Sequence, residues 1–555
     1  MNDIRRTILW VVFGFSLVML WDQWQIHNGK RPTFFPSTAP VSVNTATPEK
    51  RESTSATPSP VTNEVQMNLP NDNATSSASS DMVEVQTDVL KLRFDSLGAS
   101  LTRVELLKHQ DVHHPGSNVV LMDNSKERVY LAQTGLIGSP AGANWPTHKS
   151  PMRLVSSPKF KDGEDQLALR FESEMVGGVK LIKTYNLRKN SYVLTVQHDI
   201  INQSGQSISP QMYVQLVRDG NKPEGESSFY STFTGPAVYT AAKKYQKIEF
   251  ADIEKNKADF EKKSDIGYVA MVQHYFAAAW LIPDTQARDL YARKIDNNLY
   301  AVGMVVPLPA LDNASQQSQQ VQLFVGPQEE KVLENLYPGL ELVKDYGWLT
   351  ILAKPLYWLL DKLFGLIGNW GWSIVALVVL LKLAFYWLNA QAYRSMGKMK
   401  AINPKIMEMR ERLKDNPQQM QMEMMKIYRE EKVNPLGGCL PIAVQIPFFI
   451  ALYWVLLSSV EMRNAPWVGW IKDLAAPDPW FVLPLLMTGT SLLQTWLNPT
   501  PPDPVQAKMM WIMPLAFSVM FFFFPSGLVL YWLSNNILSI AQQWMINKQL
   551  GVLKN

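Results

Sequence analysis

Ile374-Val-Ala-Leu-Val-Val-Leu-Leu-Lys382-Leu-Ala-Phe385 is an apolar run interrupted by one cation. It lies within Gly371–Leu388, 18 residues without another charge. As a helix this run is about 27 Å long, slightly short of the roughly 30 Å hydrocarbon layer, and it reads as a membrane span. A lysine inside a span costs about 2.5–3.5 kcal/mol on insertion scales. Lys382 therefore either faces a polar cavity or snorkels to the nearer span end, about 9 Å away. The sequence leaves both open.

Four further runs follow: Leu440–Val460, Trp480–Leu497, Met509–Phe524 and Gly527–Trp544. The last three have only 16 to 18 residues, and spans that short thin the surrounding bilayer. Pro441, Pro447, Pro484 and Pro514 predict kinks. Asn389–Asn434 carries ten Lys/Arg against six Asp/Glu and is assigned to the cytoplasm. Glu461–Pro479 has Arg463 and Lys472 as its basic residues and is assigned outside. The C-terminus, with Lys548 and Lys554, returns to the cytoplasm. Gln445, Gln494, Asn535 and Asn536 are uncharged polar residues within spans; they either line a cavity with Lys382 or bridge helices.

On the N-terminal side, residues 1–24 read as a membrane anchor. Arg5 and Arg6 precede an apolar run that ends in Trp21-Asp22-Gln23-Trp24 rather than in small, cleavable residues. The N-terminus is thus assigned to the cytoplasm. Residues 25–80, rich in Ser, Thr, Pro and Asn, read as a disordered tether. Residues 81–345 alternate with period two, as in Leu90/Leu92/Phe94, Leu167/Leu169/Phe171 and Tyr192/Leu194/Val196. That pattern predicts an all-β sandwich, closed by a helix over Pro327–Tyr346. Residues 346–368 place Leu349, Leu352, Leu356, Leu359, Leu360, Leu363 and Ile367 on one stripe. An amphipathic helix at the membrane surface is expected there, the alternative being a helix packed on the sandwich. Residues 369–555 are the helical core. The fold class is therefore a polytopic α-helical membrane protein with six spans and a large extracytoplasmic β-domain.

Within the cytoplasmic segment, Met396, Met399, Ile402, Ile406, Met409 and Leu413 step by three or four. Asn416-Pro417 starts a second helix carrying Met420, Met424 and Ile427. Residues 391–432 are expected to form a helical hairpin. Its eight methionines either grip varied apolar chains or fill the hairpin's own seam.

Net charge is +4, which gives no case for nucleic-acid binding, and the one cysteine, Cys439, allows no internal disulfide. His113 and His114 lack further metal ligands at usable spacing. No nucleotide loop or nucleophile elbow is present, so no catalytic residue, cofactor or metal is assigned and the chain is not read as an enzyme. A solute transporter would call for several intramembrane charges or inverted repeats. A membrane-anchored carbohydrate enzyme would leave the C-terminal spans unexplained.

Gly368-Asn-Trp-Gly-Trp-Ser373, Met407-Glu-Met-Arg-Glu-Arg-Leu413, Glu431-Lys-Val-Asn-Pro-Leu-Gly-Gly-Cys-Leu-Pro441, Asp478-Pro479 and Phe524-Pro-Ser-Gly-Leu-Val-Leu-Tyr-Trp532 carry a resemblance. With the anchor, tether and sandwich, the chain resembles the bacterial YidC insertases of Gram-negative type. The resemblance implies an inner-membrane protein that inserts and helps fold membrane proteins, alone or with the Sec translocon. Its groove would be hydrophilic and open to cytoplasm and lipid. Lys382, Gln445, Gln494 and Asn535 would lie in that groove. Pro447, Phe448, Met513 and Phe517 would lie on the spans that substrates pass. Met399, Met409, Met420 and Met424 would mark the hairpin. Implied partners are nascent membrane proteins, ribosomes, Sec components and lipids. The family's groove residue is commonly arginine; Lys382 keeps the charge without the guanidinium fork.

Overall fold

The computed structural model describes residues 81–498, except 113, 115, 140–143, 225–231, 284, 414–415 and 432–439, together with residues 504–549. The expected anchor and tether, and most of the Glu431–Pro441 stretch, lie outside the described residues.

Residues 82–327 form two nine-stranded antiparallel sheets. With β1 at Met82–Gln86, β4 at Asn118–Asn124, β6 at Met152–Leu154, β10 at Ser209–Asp219, β11 at Gly235–Thr240, β12 at Lys244–Lys247, β13 at Lys263–Ser264, β16 at Arg288–Asp296 and β17 at Leu299–Pro307, the first has the order β1-β2-β3-β4-β5-β10-β17-β16-β13 and the second β12-β11-β14-β15-β18-β9-β8-β7-β6. In them β2 is Leu90–Asp95, β3 Ser100–Gln110, β5 Val129–Ser139, β8 Val179–Arg188 and β9 Val193–Asn202. Likewise β14 is Gly267–Val272, β15 Phe276–Leu281 and β18 Gln316–Pro327. Alternation explains the layering. Leu90, Leu92 and Phe94 are buried while Lys91, Arg93 and Asp95 are partly exposed, and β7 (Gln166–Ser173) buries Leu167, Leu169 and Phe171 in the same way. These side chains meet those of the other sheet in one core. A short helix, α1 (Phe250–Glu254), lies between strands.

The helix expected over Pro327–Tyr346 is broken. Pro327 ends β18, α2 spans Glu330–Leu336, and a 3-10 turn covers Leu340–Val343. Tyr337 leaves the helix in an extended conformation, Pro338 removes a donor at the break, and Gly339 adopts φ +82°, a left-handed conformation that leads into the 3-10 turn.

The core helices are α3 (Thr350–Ile367), α4 (Trp370–Ala384), α5 (Tyr386–Arg412), α6 (Pro417–Glu430), α7 (Leu440–Ser458), α8 (Val482–Leu497), α9 (Pro504–Phe521) and α10 (Ser526–Gln549). Helix α3 buries Ala353, Leu356, Tyr357 and Leu360 in the core, while Ile351, Trp358 and Leu366 face outward. Two of its off-stripe charges tie it to the segment after the sandwich: Lys354 pairs with Glu341 at 3.3 Å and Asp361 with Lys331 at 2.8 Å.

The Gly368–Ser373 stretch is a corner. Gly368 closes α3 at φ +73°, and the Asn369 side chain caps α4 by accepting from the Trp372 amide at 3.1 Å. Trp370 stacks on Phe364 with ring centroids 4.1 Å apart. A Cβ at Gly371 would lie 2.2 Å from the Trp467 ring, so only glycine admits that close approach. Asp478 is buried and accepts from Trp470 Nε1 and the amides of Trp480 and Leu483. It thereby fixes the turn into α8.

No single helix among the described residues is long and apolar enough to cross a membrane alone. Trp370–Ala384 and Tyr386–Met399 pass together but are bent by 69°. Val444–Ser458, Val482–Leu497 and Ala507–Phe521 are shorter apolar helices. The expected span Gly371–Leu388 is thus broken at Phe385. The break has a packing cause. Gln542 Nε2 of α10 donates to Tyr386 O at 3.2 Å, and the Phe385 ring meets Phe448 edge-on at 5.1 Å. Beyond the break α5 runs without interruption to Arg412, so the hairpin's first helix begins in the core rather than at residue 391.

Candidate functional site

Helices α4, α7 and α10 enclose a cavity of about 50 Å³ beside Lys382. Its polar lining is Lys382, Gln445 and Asn535; Phe385, Phe448 and Phe449 are among its apolar walls. Lys382 Nζ donates to Ser539 Oγ at 2.7 Å and forms no ion pair among the described residues. Gln445 Nε2 donates to Asn389 Oδ1 at 2.7 Å, tying α7 to the base of α5. A cation and amides are thus held among aromatic rings. Such a site offers hydrogen bonds and positive charge within an apolar surround, where electrostatic attraction is screened less than in water. The volume suits one or two waters; a peptide entering here has to displace a wall.

Gln494 does not share this cavity. It lines a second one, of about 360 Å³, between α8, α9 and α10, with Ser491, Thr495, Asn498 and Asn536 on its polar side and Met513 and Phe517 on its apolar side. Asn536 donates to Ser491 Oγ at 3.0 Å and Gln543 to Asn498 Oδ1 at 3.0 Å. Pro447 and Phe448 therefore belong to the helix walling the first cavity, Met513 and Phe517 to the helix walling the second, and α10 separates the two.

Met399, Met409, Met420 and Met424 pack with Ile402, Ile406, Leu413 and Ile427 in the hairpin seam. Of the two roles open to these four, the geometry gives them the seam. The methionines that face outward are Met407, Met422 and Met425. Asn416 caps α6 by accepting from the Gln419 amide, with Pro417 in the first turn. Arg412–Glu423 and Lys405–Glu431 pairs close the hairpin's sides.

The sandwich meets the core at a polar junction. Lys344 Nζ lies 3.1 and 3.2 Å from the Glu461 oxygens, and the Tyr357 hydroxyl donates to Glu461 at 2.6 Å. His274 Nε2 donates to Leu457 O, at the end of α7, at 2.9 Å. Arg463 donates to Gln110 O at 3.0 Å and covers the rings of Tyr275 and Phe276. Burial pushes His274 down to about 4 and holds Glu330 above the usual carboxylate range. No group of three His, Cys, Asp or Glu residues is placed to hold a metal among the described residues.

A family model described as the YidC periplasmic domain matches residues 82–359, and one described as 60Kd inner membrane protein matches residues 362–552. The chain is 52% identical to a membrane protein insertase YidC of Cupriavidus taiwanensis, over 99% of this chain and 98% of that one. It is 50% identical to the one of Bordetella pertussis, again over 99% and 98%. The chain belongs to the YidC family of membrane protein insertases. A solved structure of an active YidC insertase with its first transmembrane domain resolved covers 83% of this chain and 92% of its own, at 19% identity and a TM-score of 0.37. A galactose mutarotase related enzyme from Lactobacillus acidophilus covers 44% of this chain and 97% of its own, at 8% identity and a TM-score of 0.30.

Within this YidC family member, sequence reasoning missed Asn389 and Ser539. Ser539 was legible in one respect: Asn535, Ser539 and Gln542 step by four and three along one face of α10. Asn389 lies just past the break at Phe385 and joins the site only through its bond from Gln445.

Proposed function

We propose that the chain inserts and helps fold membrane proteins in the bacterial inner membrane, through the polar cavity at Lys382. It has six spans, with both termini in the cytoplasm and the sandwich in the periplasm. Short apolar helices, ten basic residues in the hairpin segment and the anchor-like N-terminus support that topology. The observation that carries the reading is a half-buried ammonium that pairs with no carboxylate among the described residues, set among amides and phenyl rings where three core helices meet.

The thermodynamics need no nucleotide. A substrate span of ~20 residues gains about 0.3–0.6 kcal/mol per Leu-like residue on entering the bilayer, or about 6–12 kcal/mol. The obstacle is kinetic, because a polar tail must cross hydrocarbon. Lys382 draws acidic groups of the tail inward, and short helices thin the layer to be crossed. The hairpin's basic residues suit ribosomal RNA or anionic lipid, an attraction that salt screens. Cooperation with the Sec translocon accords with family membership.

The test is reconstitution of the purified full chain into liposomes with a short single-span protein and no other factor. Protease-protected tails well above the level in empty liposomes are expected. Protection no higher than in empty liposomes would refute the function.

A further inference from the structure

Ser539 sits where three helices converge, and it is buried. Its Oγ accepts from Lys382 Nζ of α4 at 2.7 Å and donates to Asn535 O, one turn back on α10, at 2.7 Å. A serine hydroxyl has one proton to give and two lone pairs to fill. Asn535 O takes the proton, and the Lys382 ammonium fills one lone pair. One turn on, Gln542 holds Tyr386 O at the α4–α5 break.

A lysine about 9 Å from a span end ordinarily extends its flexible stem toward water. Here the ammonium stays beside Gln445 and Asn535. It carries three N–H groups, of which Ser539 occupies one. We propose that Ser539 is the positioning residue that keeps the Lys382 ammonium in the cavity, with its remaining N–H groups available to carboxylates of an entering chain. This rests on the reading of Lys382 given above.

The experiment uses full-length protein in liposomes and two single-span test proteins that differ in the translocated tail, one with three aspartates and one with three asparagines. The readout is the ratio of acidic-tail to neutral-tail insertion, which a loss of folded protein alone does not move. Ser539→Ala should lower that ratio at least threefold, toward the value for Lys382→Ala. Ser539→Thr, which keeps the hydroxyl, should restore it. Lys382→Ala combined with Ser539→Ala should lower it no further than Lys382→Ala does. Equal losses for both tails, an unchanged ratio, or failure of threonine to rescue would overturn the positioning role. If Lys382→Ala itself leaves the ratio unchanged, the reading of Lys382 fails and this inference falls with it. If Lys382→Ala moves the ratio and Ser539→Ala does not, only the positioning role falls.

Discussion

Replacing Lys344 with methionine should loosen the junction between sandwich and core by about 3–5 kcal/mol. The side chain is fully buried, while its partner Glu461 is 16% exposed. Nζ contacts both Glu461 oxygens and lies 4.0 Å from the Tyr357 ring centroid. Removing one member of a buried pair leaves the other charge uncompensated, which costs about 3–5 kcal/mol, and a desolvated cation–π contact adds up to about 2. Glu329 and Glu330 sharpen the effect. Burial already holds both above the usual carboxylate range, and Lys344 opposes that rise. Glu461→Gln in the same background removes the orphaned charge, so the double variant should recover most of the loss. The assay is amide hydrogen exchange at Leu342, Met462 and Arg463, whose amides bond across this junction's turns. At ~1.4 kcal/mol per factor of ten, exchange should quicken by about two to three and a half powers of ten in Lys344→Met. Acceleration below tenfold, or a double variant as labile as the single one, would refute the reasoning.

Acid should weaken the same junction. Burial holds His274 at about 4 in the folded chain against an ordinary 6.5, so unfolding takes up a proton and the stability it confers is lost as pH falls from 6.5 through 4; a His274→Gln variant should show a flatter exchange profile over that range, and an equal slope would count against this. Lys183, bonded to Gly98 O and Thr134 O at 2.7 Å each, is pushed by burial down to about 7, so the folded state binds fewer protons and stability should rise from pH 7 toward 10.5. Thermal unfolding of the full chain in detergent checks this, since the rise should vanish in Lys183→Met. Met407, Met422 and Met425 face outward, so their replacement by glutamine should narrow the range of substrates inserted, whereas leucine at Met399, Met409, Met420 and Met424 should leave it unchanged; an unchanged range in the glutamine variant would remove any client role for the exposed methionines. A short crosslink between cysteines placed at Ser491 and Asn536 should preserve insertion, while one between positions Phe385 and Phe448 should block it, and the reverse order would show that the moving wall has been misassigned.

The sandwich was legible because β-strands repeat with a period of two and one face must be apolar, as Leu90, Leu92 and Phe94 show. The hairpin was legible from Asn416-Pro417 and from a stripe stepping by three or four. That stripe also held most of the answer about the methionines, since four of the five that fall on it pack inward with Ile402, Ile406 and Ile427. The break at Phe385 left no local mark: neither proline nor glycine stands there, and its causes, Gln542 and Phe448, lie far along the chain. Grouping Gln494 with Lys382 erred for a geometric reason. Consecutive residues on a helix point about 100° apart, so Asn535 faces the Lys382 cavity while Asn536 faces the one lined by Gln494. Counting polar residues per span does not tell which side of α10 each one serves.

On the proposed function, that division bears on how a chain passes through so small a space. Helix α10 is bonded on both flanks: to Lys382 and Tyr386 on one side, to Ser491 and Asn498 on the other. It is the fixed septum. The helices facing it across each cavity, α7 and α9, each carry an interior proline, Pro447 and Pro514. A proline cannot donate to the carbonyl one turn earlier, so its helix gives up a rung of the ladder and bends at lower cost. In α9 the Pro514 carbonyl also accepts from the Ser518 hydroxyl at 2.6 Å. Stiffness therefore sits in α10, which presents Asn535 and Asn536, and compliance in α7 and α9. On this reading, opening the first cavity carries Gln445 along with the phenyl rings of α7 and leaves the Lys382 ammonium and the Asn535 amide where they are. The electrostatics stay preorganised while the aperture varies, an arrangement suited to substrates that share a short polar tail and little else.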